Sequence, residues 1–502
     1  MAARVAQQLT RGPQVVTRVI RTLSTEVRQK SDWEKWRDGE APKPTWSPSD
    51  PLTPYPQLLE QSRIKKVDLS LRDQQYAHLT SAQKAILRRD RIAKTFGVSR
   101  SLLEKIDNLE LLISLNQSTL PQPVQQQISQ SITEREATMA LGENAIGTAG
   151  NQCLGMTTRH LVDGEQRLAV LSVVENSIIA GNEGFAEKIA QAGGVQTLRL
   201  DPPIMPTQVF IRTTAGGQSL QEIKQKLENP GMLPKIRQYL LSAVPKYASL
   251  EQKYGGGLID KIEVNILKGK EDQLEYVLFY NTDQMMGANV ANLMAEALRH
   301  YLPSPEGVGP CEAYAGILSN VVTNLREVHS ICRIHPDALS DKGSSNGPDI
   351  AYRMALLSHA ARESYYRAAT DFKGSLNALM SFLSPLGQDP NAVMAGLAHG
   401  CVQTTSETAK FVPFTKWTYD GTWLFGEFKA GMALSTTGIV RHNPDAVNLM
   451  KIMNITDEGQ IRRIAAAVTL ATNAAALRSI VSKKGNSGHH LDFTPNMHQK
   501  KS

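Results

Sequence analysis

The sequence predicts an α/β protein, a large and mostly helical body interrupted by one strand-rich module. Three observations predict it. The chain has 502 residues, enough for two or three domains and a sizeable core. Residues 207–320 alternate strand-type and helix-type patterns in the order β-α-β-β-α-β. After residue 345, alanine-rich helical patterns dominate, at 350–385 and 458–480.

Each element has its own local cause. Residues 1–25, "MAARVAQQLTRGPQVVTRVIRTLST", hold Arg4, Arg11, Arg18 and Arg21 and no acid. Arg-rich, Ser/Thr-bearing and acid-free is the composition of a mitochondrial transit peptide, with a basic tail as the alternative. Residues 26–78 are rich in Pro, Trp and charge and read as an extended arm with little structure of its own. Its Trp33, Trp36 and Trp46 are suited to docking on a neighbouring surface. Regular structure is expected from "LTSAQKAILRRDRIAKTFG", an amphipathic helix with Thr80 or Ser81 as N-cap.

Within the module, "TQVFIRT" reads as a strand and "SLQEIKQKLEN" as a helix. "KIEVNIL" alternates Ile262, Val264 and Ile266 with polar residues, the period of a half-buried strand. "LEYVLFYN" follows a short polar turn, so the two make a hairpin. "GANVANLMAEALRHYL" spaces Val290, Leu293, Met294, Ala297 and Leu298 three and four apart, hence a helix. "YAGILSN" closes the run, and the order is that of a ferredoxin-like split βαβ module. The chain thus divides into 1–25, the arm 26–78, a large domain in two parts (79–206 and 323–480), the inserted module (207–322) and a tail (481–502).

Composition excludes several functions. The net charge is +7, and the four arginines of 1–25 carry more than half of it, so nothing argues for a nucleic-acid partner. Cys153, Cys311, Cys332 and Cys401 are scattered, without metal-ligand spacing or a disulfide framework. The longest apolar run, 464–477, contains threonines and an asparagine; it is too short and polar to span a bilayer and reads as a buried helix.

Two stretches carry candidate chemistry. "YRAATDFKGSLNAL" surrounds Lys373 with small and apolar residues, and Asp389 follows sixteen residues later in "GQDPNAVMAG". "NTDQMMGAN" runs from a strand through Gly287 into a helix N-terminus, where free N–H groups and the helix dipole suit an anion. An ordinary βα turn, a lysine reaching out from an Ala-rich helix and an Asp-Pro helix start are the structural alternatives.

Six segments, in order, resemble 3-hydroxy-3-methylglutaryl-coenzyme A (HMG-CoA) reductases of the soluble class II branch, over roughly 79–490. They are "ENAIG" (143–147), "VVENSIIAG" (173–181), "GGGLIDKIEV" (255–264), "MGANVANLMAEAL" (286–298), "YRAATDFKGSLNAL" and "GQDPNAVMAG". The resemblance implies a helical domain that binds the acyl-CoA, with the inserted ferredoxin-like module binding NADH or NADPH. It implies catalytic roles for Glu175 (general acid), Lys373 (oxyanion), Asp389 (coupled to both) and His489, or its neighbour His490 (thiolate protonation). Glu143, Ser177, Arg367 and Asn377 would contact the substrate, with Arg367 gripping its carboxylate. Asp283, Gln284, Met286, Gly287 and Asn289 would contact the cofactor; no metal is implied.

The implied activity is two-step hydride reduction of HMG-CoA to mevalonate with release of CoA, or the reverse, in a homodimer of the mitochondrial matrix. Several positions depart from the pattern. Gln284 stands where the cofactor loop has an acid, and Asp283 is one place early. "ATDFKG" replaces a His-Asn pair before the lysine, "STTGIV" replaces a Gly-Gly turn, and the tail after His489 is short. A retired reductase, held in a larger mitochondrial assembly through 26–78, is the second expectation.

Overall fold

The computed structural model describes residues 53, 55–61, 64–71, 73–117, 122–140, 144–149, 152–173, 177–269, 271–404 and 409–482. The segment 1–25, the three arm tryptophans, Glu143, Glu175, and the tail with His489 and His490 lie outside the described residues. Two compact units divide the chain. One is Asp201–Arg326; the described residues of the other come from Pro42–Leu200 and Glu327–Ser502.

In the larger unit, the last part of the expected arm is structured. It carries helix α1 (Tyr55–Gln61), whose Leu58 is buried with Ala192 and Trp423. Ile64, Val67, Leu69 and Leu71 are buried too, and Lys65 N donates to Gln166 Oε1 at 2.9 Å. Apolar residues at alternate positions lay this extended stretch on its own unit. Helix α2 (Ser81–Phe96) opens on Thr80, which makes a reciprocal capping box with Gln83, and closes on Gly97 at φ 70°.

Helices α3 (Arg100–Glu104), α4 (Leu109–Asn116) and α5 (Gln122–Ala140) follow. Then β1 (Ala145–Ala149), β2 (Gln152–Val162) and β3 (Glu165–Val173) form an antiparallel meander. Its edge is pinned from beneath. Arg89 of α2 pairs with Asp107 at 2.6 Å, both buried, and donates to Ile146 O at 2.7 Å. Asp107 Oδ2 accepts from Thr148 N at 2.9 Å. Gly147 lies between, where a Cβ would sit 2.8 Å from Asp107 Oδ2 and 2.9 Å from Ile106 Cγ2, so any larger residue would push these side chains aside. Helix α6 (Ser177–Gln191) and strand β4 (Gln196–Leu200) complete this part.

The smaller unit has β5 (Ile204–Arg212), helices α7 (Leu220–Glu228), α8 (Met232–Ala243) and α9 (Pro245–Lys253), β6 (Ile259–Leu267), β7 (Gln273–Asn281), α10 (Ala288–Tyr301) and β8 (Glu312–Leu318). Its sheet is antiparallel throughout, in the order β6-β7-β5-β8. Three helices stand between the first two strands where the sequence reading placed one. Ile236 and Leu240 of α8 and Tyr247 of α9 are fully buried, in one core with Met294 and Leu298 of α10.

The larger unit resumes with β9 (Glu327–Ile334), α11 (Gly347–Glu363), α12 (Tyr365–Leu383) and α13 (Pro390–Cys401). After these come β10 (Val402–Thr404), β11 (Ala409–Phe411), β12 (Thr415–Tyr419), β13 (Leu424–Gly431), α14 (Pro444–Ile452) and α15 (Glu458–Val481). Strands 12, 13, 9 and 4 form a second sheet and strands 10 and 11 a small third one, so the body expected to be mostly helical carries three sheets among its described residues. Helix α15 is long and apolar enough to cross a membrane by length and composition, but is mostly buried inside its unit. Its Arg462 is buried and bonded at 2.8 Å to Glu458, one turn away on the same helix.

Candidate active site

Helices α6, α12 and α15 line a cavity of about 610 Å³ in the larger unit. Ser177 starts α6, and Arg367, Lys373 and Asn377 lie along α12; all four line the cavity. Ser364 caps α12 by accepting from Arg367 N at 3.3 Å, which starts the helix one turn before the candidate residues. Lys373 itself is exposed.

The cavity floor is a buried polar network. Asp371 Oδ1 accepts from Thr415 Oγ1 at 3.2 Å and Asn473 Nδ2 at 3.3 Å. Asn473 in turn accepts from Trp417 Nε1 at 2.8 Å and donates to Ser375 Oγ at 3.1 Å. Helix α12, strand β12 and helix α15 are thereby locked in one register. A second network ties α6 to α15. His160 Nε2 meets Asn182 Oδ1 at 2.8 Å, and Asn182 Nδ2 donates to Val468 O at 2.8 Å and Thr472 Oγ1 at 2.9 Å. Complete burial pushes His160 down to about 4, so it is neutral here.

Asp371 was not among the residues singled out from the sequence, and it changes the role of one that was. Arg367 Nη2 donates to Asp371 Oδ2 at 2.8 Å, one turn along α12. The guanidinium expected to receive a substrate carboxylate therefore already faces one. Its Nε is buried and has no hydrogen-bond partner among the described residues. Burial pushes the Asp371 carboxyl above the usual range, against the opposing pull of Arg367 and its two hydrogen bonds. The signal in the sequence was an acid four residues after an arginine inside a helical run.

Asp389 does not line this cavity. It is the exposed N-cap of α13, accepting from Asn391 N at 2.9 Å and Ala392 N at 3.2 Å. Lys373 lies midway along α12, and Asp389 follows the end of that helix beyond a turn at Ser384–Leu386; among the described residues no ion pair joins the two. Within one chain the aspartate has a capping role.

In the smaller unit, the candidate cofactor residues gather on one loop. Gly287 is the N-cap of α10 at φ 95°, with no side-chain cap. A Cβ there would fall 2.3 Å from Thr282 Cγ2 and 2.6 Å from the Tyr280 hydroxyl. Tyr280 donates to Gly287 O, and Thr282 Oγ1 to Met285 O at 2.7 Å. Arg326 reaches under the loop, donating to Met286 O at 2.9 Å and to Thr282. Asp283 is buried at φ 53°, its N–H held by Asn281 Oδ1 at 2.8 Å, and Asn289 is exposed on the first turn of α10. A rigid glycine-bearing loop at an uncapped helix N-terminus suits a phosphate. Among the described residues, no group of three or more metal-ligating side chains occurs, and all four cysteines are buried free thiols.

Residues 106–491 match the family model of hydroxymethylglutaryl-coenzyme A reductase. The chain belongs to this family. It is 26% identical over 351 residues to the 3-hydroxy-3-methylglutaryl-coenzyme A reductase of Archaeoglobus fulgidus, covering 69% of this chain and 74% of that one. A probable reductase of the same name from Borreliella burgdorferi is 23% identical over 341 residues, covering 67% and 72%. Among solved structures, the class II enzyme of Streptococcus pneumoniae bound to NADPH in open conformations superposes with a TM-score of 0.59 at 26% identity, over 77% of this chain and all of that one. Another structure of the reductase from the same organism gives 0.58 at 28% identity, over 75% and 96%.

Proposed function

We propose that this protein reduces HMG-CoA to mevalonate, or runs the reverse reaction, with NADH or NADPH. The observation that carries this is the joint placement of Ser177, Arg367, Lys373 and Asn377 around one cavity of the larger unit. The ferredoxin-like module, here Asp201–Arg326, would be the cofactor domain, its Gly287 cradle taking a phosphate of the dinucleotide. The bound nicotinamide would supply the hydride. Lys373 would hold the oxyanion that grows as the thioester carbonyl is reduced, stabilising the transition state more than the ground state. Glu175 would give the proton and His489 would protonate the departing thiolate. Arg367 Nε would orient a neutral substrate oxygen.

Because no ion pair joins Lys373 and Asp389 among the described residues of one chain, the site as proposed needs a homodimer, in which the exposed Asp389 of one chain approaches Lys373 of the other. Mixing Lys373→Ala and Asp389→Ala chains tests this. Partial activity in the mixture, absent from either variant alone, is expected; an inactive mixture contradicts the shared site. Mitochondrial import through 1–25 is part of the proposal, read from a fluorescent fusion with and without that segment.

A retired enzyme serving as a structural subunit is the second reading. It is favoured by the Arg367–Asp371 pair and by Gln284 in the cofactor loop. Deleting residues 26–54 and blotting a native gel of mitochondrial extract tests it. Release of the chain from a large complex, in a protein that shows no turnover, would support it.

A further inference from the structure

Five charged side chains line the cavity: Lys188, Arg367, Asp371, Lys373 and Arg478. Arg367 is committed to Asp371 at 2.8 Å. Arg478 is committed to Asp341, also at 2.8 Å, and to Leu339 O at 3.3 Å. Lys373 is the proposed oxyanion residue. Lys188, on the last turn of α6, has no carboxylate within ion-pair distance among the described residues. Its neighbour Glu187 is bound instead by Lys66 at 2.6 Å and by Arg159. The ammonium of Lys188 lies 5.6 Å from the centroid of the Phe185 ring, which also lines the cavity. Burial lowers its pKa; the nearby Glu187 charge opposes that shift, and the charges of Arg478 and Arg159 add to it.

We propose that Lys188, rather than Arg367, receives the anionic group of the ligand that occupies this cavity. This rests on the reading of the cavity as an acyl-CoA site, and assigns to it a residue that the sequence motifs did not single out. The anion is a carboxylate or a phosphate, both of which an ammonium takes as a point charge. A carboxylate would come from the acyl group, a phosphate from the CoA moiety.

The test is calorimetric titration of the full chain with HMG-CoA, with 3-hydroxybutyryl-CoA, which lacks the acyl carboxylate, and with CoA alone. Wild type is compared with Lys188→Met, Lys188→Arg and Arg367→Met, with folding checked by thermal melting. Lys188→Met should weaken binding by about tenfold to a hundredfold, the effect of losing one charge-assisted hydrogen bond. Lys188→Arg should restore most of it, which a purely structural role would not produce. Loss confined to HMG-CoA assigns the anion to the acyl carboxylate; loss with all three assigns it to phosphate. Unchanged binding in Lys188→Met, with the loss appearing in Arg367→Met, overturns the inference while leaving the acyl-CoA site intact. Failure of all three ligands to bind wild type overturns the acyl-CoA site and this inference with it.

Discussion

Arg367 and Asp371 form an ion pair at 2.8 Å across one turn of the helix that also carries Lys373. The pair is largely buried, and Asp371 holds two further donors from β12 and α15. Removing the acid strands a cation and two donors. Asp371→Ala should therefore lower the unfolding free energy by about 2 kcal/mol, less than for a wholly buried pair because Arg367 keeps some access to water. Urea denaturation measures it; a change below about 0.5 kcal/mol would show that the pair is incidental.

Lys373 is exposed, and among the described residues no hydrogen bond or ion pair ties its side chain to the fold. Lys373→Ala should leave the melting temperature within about 2 °C and abolish both hydride steps. A His489→Ala change should instead spare reduction of the free aldehyde while blocking reduction of the thioester. Equal loss in both assays would contradict the thiolate-protonation role.

His160 makes the fold sensitive to acid. Its folded-state pKa, about 4, lies below the usual 6.5. Between these values the unfolded chain binds the proton and the folded chain does not. Stability is therefore complete above pH 6.5 and falls as the pH drops towards 4, by about 3 kcal/mol in all. Melting curves from pH 7 to 4 should show this, and His160→Gln should flatten the dependence over that window. An unchanged pH slope in the variant would place the acid sensitivity elsewhere.

The buried Arg89–Asp107 pair holds the edge of the first meander, and Gly147 gives it room. Asp107→Ala should cost about 2–3 kcal/mol: Arg89 keeps Glu110 at 2.9 Å, but its buried partner and the acceptor of Thr148 N are lost. Gly147→Ala should cost about 1–3 kcal/mol by crowding the same pair. If Gly147→Ala melts like wild type, the space argument fails.

Gly287→Ala should weaken cofactor binding with little effect on the larger unit. The methyl collides with Thr282 and Tyr280 at a left-handed backbone position, so the loop must move. Quenching of protein fluorescence by NADH and NADPH measures it. Equal affinity for wild type and variant would remove the loop from the cofactor site.

Much of this was legible in the sequence where one local rule dominated. The hairpin of β6 and β7 showed in the alternation of Ile262, Val264 and Ile266, and helix α2 in its amphipathic pattern behind an N-cap at Thr80 or Ser81. The strands of the larger unit were not legible. Ala145–Ala149 is short and buried on both faces, without the period of two that marks a half-solvated strand; Leu424–Gly431 alternates in burial, but Gly426, Ala430 and Gly431 give its sequence a weak strand signal. Ser177, Arg367, Lys373 and Asn377 were found through motif resemblance, which fixes positions along the chain but not pairings. Hence Asp389 was expected beside Lys373 and caps a helix instead, while Asp371 and Lys188 matter through partners that only the fold supplies or denies.

The most direct test is to mix the purified full-length protein with HMG-CoA and NADH or NADPH and follow absorbance at the reduced-nicotinamide band. The account predicts a steady loss that requires both substrate and cofactor, that yields mevalonate and free CoA thiol, and that disappears in Lys373→Ala. No loss with either cofactor, from folded dimeric protein that also fails to oxidise mevalonate in the presence of CoA and NAD(P)+, would contradict it.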